Sequence, residues 1–261
     1  MATYNKRGYK APKPESAEVT EKEPLEPVID DSNSTTASVF NTLDEKATGL
    51  EEWVAKNQKI IYGVVLGIAL LAVLYVVYDK FIHEPAENTA ANDMFQAQEY
   101  FMQAVDAPAA SDSLYNLALN GGEGKLGFLG IIETHGGTDA ANLAHYHAGM
   151  AYLNMGKYKE ALTHLSEFKT KDDILNAMAL GATGDAFAQL NQNDDALEYY
   201  NKAISASDND LTTPRFLFKA GQLALTMNKK EEALKHFNQI KEKYEGSAQG
   251  VNIEAYIARA Q

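Results

Sequence analysis

Residues 142–169 read NLAHYHAGMAYLNMGKYKEALTHLSEFK, and their spacing recurs downstream. Gly149 is followed twelve residues later by Ala161 and, four further on, by Leu165. The same triplet returns as Gly184, Ala196 and Tyr200, then as Gly221, Ala233 and Phe237, at offsets of 35 and 37 residues. A glycine on one helix and an alanine on the next let two backbones approach, and the larger third residue fills the gap to the following pair. The second copy, NAMALGATGDAFAQLNQNDDALEYYNKAI, keeps Phe187, Ala196, Leu197 and Ala203. The third, FLFKAGQLALTMNKKEEALKHFNQIKEKY, has Ala224 where the others carry Tyr152 and Phe187. Three copies in register predict stacked antiparallel helix pairs over 142–175, 177–210 and 214–246, and an all-α fold.

The period is close to the roughly 34 residues of tetratricopeptide repeats, so an α-solenoid of such helix pairs is expected over 86–261. Upstream, Ala90 to Val105 and Leu126 to Thr134 read as helices of a degenerate repeat over 88–136, split by an insertion near Ala107 to Gly124. Downstream, Ser247 can cap a closing helix over 247–260 that carries Val251, Ile253, Tyr256 and Ile257 and covers the last apolar face.

Working further toward the N-terminus, IIYGVVLGIALLAVLYVVY (Ile60 to Tyr78) holds no charged residue. As a helix it is ~28 Å long, about the thickness of a bilayer's hydrocarbon core, and it predicts a transmembrane helix over 60–82. Tyr62, Tyr75 and Tyr78 suit the headgroup level, and Lys56, Lys59 and Lys80 can snorkel outward. Lys46, Lys56 and Lys59 precede the span while Lys80 alone closely follows it, which predicts a cytoplasmic N-terminus and an exported C-terminal domain. The exit YDKFIHEP offers no small-residue cleavage site, so the span is expected to stay as a signal anchor. Gly63 and Gly67, one turn apart, could let another membrane helix approach.

Residues 1–37, rich in proline, glutamate, lysine and serine, are expected to be a disordered cytoplasmic tail. From Ser38 the spacing of Val39, Leu43, Ala47, Leu50 and Val54 predicts an amphipathic helix over 38–59, with a protein partner and the lipid headgroups as open alternatives for its apolar face.

The chain of 261 residues carries a formal charge of −13, and with 8 basic and 11 acidic residues ahead of the span, −10 of it lies in the exported part. That balance repels phosphate backbones and argues against nucleic-acid partners. With no cysteine, disulfides, thiol redox chemistry and thiolate metal sites are excluded together. GGEGKLG lacks the leading glycine and the hydroxyl residue of a phosphate loop, having Leu119 and Leu126 there. His145 and His147 are two apart and point to different faces of a helix, so no metal site is expected of them. With no catalytic motif present, no enzyme activity, small-molecule substrate or cofactor is expected.

Tail, single span and far-side repeat domain together resemble the ancillary Sec translocon subunit family of Gram-negative bacteria, most closely over GFLGIIETHGGTDAANLAHYHAGMAYLNMGKYKEALTHL. The resemblance implies an inner-membrane protein with a periplasmic tetratricopeptide domain. Its implied partners are Sec channel subunits, periplasmic chaperones and newly exported chains. Two other readings stand beside it: a scaffold of cell-envelope assembly that handles no unfolded clients, and an accessory protein acting through its cytoplasmic tail.

In the repeat register, Tyr146, Met150, Asn154, Asp185, Gln189, Arg215, Phe218 and Gln222 fall on the first helices' inner face and are the candidate protein-binding residues. Some repeat proteins clamp a peptide's terminal carboxylate with lysines and asparagines; here Arg215 and Lys219 fit the basic part, but Tyr146 and Met150 take the partner positions.

Overall fold

A computed structural model describes residues 35–107 and 111–261, with the backbone alone over 35–52. The expected disordered tail therefore lies outside the described residues up to position 34. Among the described residues the fold is all-α, with one isolated β-bridge between Gly122 and Lys125. Two units are distinguished along the chain, 1–69 and 70–261.

The first helix, α1, runs unbroken from Thr35 to Tyr78, so the two helices expected over 38–59 and 60–82 are one. Gly49 does not interrupt it; a single mid-helix glycine costs only about 1 kcal/mol against alanine. Among the described residues, one helix is long and apolar enough to cross a membrane. None of its side chains from Ile60 to Tyr78 is buried, with Leu66 70 % and Tyr75 69 % exposed, which a buried core helix would not show. A π-helical turn, Asp79–His83, leads directly into α2, Glu84–Asp106.

Three helical hairpins make the body of the second unit: α5 (Asp139–Asn154) with α6 (Tyr158–Glu167), α7 (Asp173–Gln189) with α8 (Asn193–Ala206), and α9 (Thr213–Thr226) with α10 (Lys230–Lys243). The three glycines sit where the register requires. A Cβ on Gly149 would lie 2.6 Å from Leu165 Cγ, on Gly184 2.7 Å from the Tyr200 ring, and on Gly221 2.4 Å from the Phe237 ring. Ala161, Ala196 and Ala233 are fully buried beneath them. Each hairpin turns on a left-handed residue, seven positions after its glycine: Gly156, Asn191 and Asn228, with φ of 72°, 60° and 59°. Glycine and asparagine tolerate that conformation best. The turns close alike, Lys157, Gln192 and Lys229 each donating a backbone N–H five residues back, to Tyr152, Phe187 and Ala224. Thr138 and Asp172 cap α5 and α7 by accepting from Ala141 and Leu175.

The leading segment departs from the expected split repeat. The insertion holds a helix of its own, α3 (Ser111–Asn120), packed on α2, and α4 (Phe128–Thr134) follows. Its Tyr115, Ala118 and Leu119 are buried, which fixes it to the core although glycines flank it closely downstream. At the other end, the closing helix α11 begins at Ile253 rather than Ser247. The Ser247 hydroxyl instead donates to the Tyr244 carbonyl and accepts from Gly250 N–H, tying a turn.

Candidate functional site

The first helices of the hairpins, α5, α7 and α9, together with the start of α6 and the middle of α8, shape an open groove of about 330 Å³. Leu153, Asn154, Tyr158, Asp185, Gln189 and Tyr200 line it, with Lys219. Asn154 of one repeat is thus brought together with Asp185 and Gln189 of the next. Gln189 Oε1 accepts from the Tyr158 hydroxyl at 3.4 Å, and Asn154 Nδ2 donates to the Met150 carbonyl at 2.9 Å. Both amides remain exposed and keep hydrogen-bonding capacity toward a ligand backbone.

Asp185 is differently placed. Its carboxylate accepts from the Tyr200 hydroxyl at 2.7 Å and from Lys219 Nζ through both oxygens at 2.6 Å, joining α7, α8 and α9. Burial, then the Asp185 charge and its hydrogen bond, hold the Tyr200 hydroxyl far above the usual tyrosine range. Lys219, which with Arg215 fits only the basic part of a carboxylate clamp, already has a carboxylate within the chain. A partner's terminus would have to compete with Asp185 for it.

The aromatic candidates also pack internally. Tyr146 is half-buried against Phe168 and His147, at ring separations of 5.3 and 5.6 Å. Burial raises its pKa, with the Arg215 charge acting the other way. Met150 is half-buried on the same helix. Phe218, expected as contact surface, stands edge-on to Tyr256 of α11 at 4.7 Å and near Phe237 at 6.2 Å. It fills the joint between the last hairpin and the closing helix. Arg215 is exposed, its guanidinium 5.9 Å from the Phe216 ring centre, and Gln222 is exposed beside Leu225, Thr226, Tyr256 and Arg259 in a smaller groove of about 190 Å³. Gly63 and Gly67 have no neighbouring atom within 4 Å of an added Cβ.

His147 and His145 do diverge, each into separate surroundings. The His147 ring stacks on Phe128 at 5.2 Å, and burial lowers its pKa to about 4. His145 meets His164 across the hairpin, Nδ1 to Nδ1 at 3.3 Å. No group of three or more metal-ligating side chains occurs among the described residues. GGEGKLG is a tight turn, with Lys125 N–H donating to the Gly122 carbonyl at 2.9 Å, and a Cβ on Gly127 would meet Leu119 O at 2.4 Å.

Tyr158, Tyr200 and Lys219 were not grouped from sequence with the Asp185 candidates. The signal was present: position 9 of one repeat, Asp185, faces position 6 of the next, Lys219, 34 residues on.

A tandem array of helical hairpins with exposed amides along its first helices defines a class of protein-docking scaffold. Two tetratricopeptide-repeat family models match the chain, over residues 146–212 and 216–247. No curated protein and no solved structure matches it. Repeats of this kind imply a protein–protein interaction module.

Proposed function

We propose that this chain is a non-enzymatic interaction module anchored in the inner membrane, its N-terminus cytoplasmic and its repeat domain periplasmic. There it holds exported chains or their chaperones close to the Sec channel. The observation that carries the reading is the juxtaposition of an exposed apolar helix, α1, with repeats of a protein-docking family. The lysine asymmetry around the span supports the orientation, and the sequence resemblance supports the Sec association.

Docking falls on the groove over Asn154 and Gln189 and on the exposed Arg215 and Gln222, because these keep unsatisfied donors and acceptors at the surface. Amides can pair with an extended backbone without reading a particular side chain, which suits varied clients. Tyr146, Asp185 and Phe218 contribute by holding the repeats in place. Extraction in mild detergent followed by affinity capture tests the reading. Sec channel subunits should copurify, and Asn154→Ala with Gln189→Ala should reduce client crosslinking without changing that membrane association. Recovery of envelope-assembly proteins in place of Sec subunits would refute it in favour of the scaffold.

A further inference from the structure

Helix α2 has two apolar faces. Ala90, Met94, Ala97 and Ala104 are buried on the domain side. About a quarter-turn round, Ala91, Phe95, Gln98, Met102 and Val105 follow at steps of four, three, four and three. That is the 3.5-residue period of a coiled-coil seam. Phe95, Met102 and Val105 are 67, 59 and 56 % exposed. Midway sits Gln98, whose amide has no hydrogen-bond partner among the described residues.

We propose that this stripe is the interface with a second copy of the chain, two α2 helices packing in parallel as they leave the membrane. Three observations select that occupant. The helix continues from Tyr78 through the π turn, and the span gives every copy the same direction, so each seam residue meets its own counterpart. A side-chain amide is self-complementary: Gln98 can donate to and accept from its mate, as a polar seam residue that fixes register does. Lipid is a poor alternative. Phe95 lies ~25 Å along the helix from Tyr78, still ~19 Å out at a tilt of ~40°, whereas the headgroup layer is only about 6 Å deep. Glu99 and Asp106 beside the stripe would also be repelled by anionic headgroups.

The stripe is smaller than the roughly 800 Å² per partner typical of stable association in solution, so confinement by the anchors supplies the effective concentration. The parallel arrangement therefore rests on the anchored reading, and the two fail in different ways. Because the chain has no cysteine, single-cysteine variants of the full chain in native membranes report one position each. Under mild oxidation Phe95→Cys, Met102→Cys and Val105→Cys should give disulfide-linked dimers, while Asn92→Cys and Gln103→Cys on the polar side stay at background. Met102→Glu should remove the Val105→Cys dimer with helix content unchanged. Membrane-bound chain without dimers, or equal dimers at all five positions, would overturn the seam. Chain released by alkaline washing would overturn the anchor and the parallel pairing with it.

Discussion

The three regular hairpins and the leading helices α2–α4 both bury alanine and aromatic side chains but join them by different means. In the hairpins a glycine brings two backbones together over one large side chain, and the device is copied three times at one spacing. In the leading segment the joints are individual. Phe101 and Phe128 close on Tyr115 and His147, Glu87 accepts the N–H groups of Asp139 and Ala140 at the start of α5, and Asp93 meets His135 Nε2 at 2.8 Å. Repetition makes an array extensible, whereas the leading segment is a fitted end piece.

Truncating the end piece should have the largest effect. Phe128 is fully buried, and Phe128→Ala should cost about 3–5 kcal/mol, read as a lowered urea midpoint for the repeat domain. An unchanged midpoint would mean that α4 is not part of the cooperative core. Overpacking the array ranks next. Gly184→Leu forces a side chain into the Tyr200 ring and should cost about 1–3 kcal/mol, whereas Gly246→Ala, with open space around it, should cost little by steric contact. Equal losses at both sites would mean that the close approach is not what holds the hairpins.

The joint between the two regions should show in the pH dependence. His147 ionises near 6.5 when unfolded and at about 4 when folded, because burial disfavours its charged form. Between those values the unfolded chain binds more protons, so stability falls as pH drops from about 6.5 to about 4 and levels off below. His145, His164 and His236 are lowered by burial too and add in the same direction. His147→Leu should remove about 1–2 kcal/mol of the total loss across that window, once the ring's residual contact with water is discounted. A melting temperature with the same pH slope in wild type and variant would contradict the assignment.

What could be read from the sequence follows the same division. The hairpins were legible because glycine, alanine and the large third residue recur at nearly fixed spacing. Helix α3 was not, because SDSLYNLALN is short and lies between Ala107–Ala110 and the glycines from Gly121, a composition that reads as a loop. The inner face was half legible. Spacing placed Asn154, Gln189 and Gln222 at the surface, but no local pattern shows that Asp185 is held by Tyr200 and Lys219, or that α11 presents Tyr256 to Phe218. Such pairings depend on which helices become neighbours.

The proposed topology is tested most directly by cysteine labelling of the full chain in spheroplasts, using a thiol reagent that does not cross membranes. Ala248→Cys lies at an exposed site of the repeat domain, and Ser32→Cys precedes the span. The account predicts that the first is modified in intact spheroplasts and the second only after lysis. Modification of Ser32→Cys in intact spheroplasts, with Ala248→Cys protected until lysis, would contradict it.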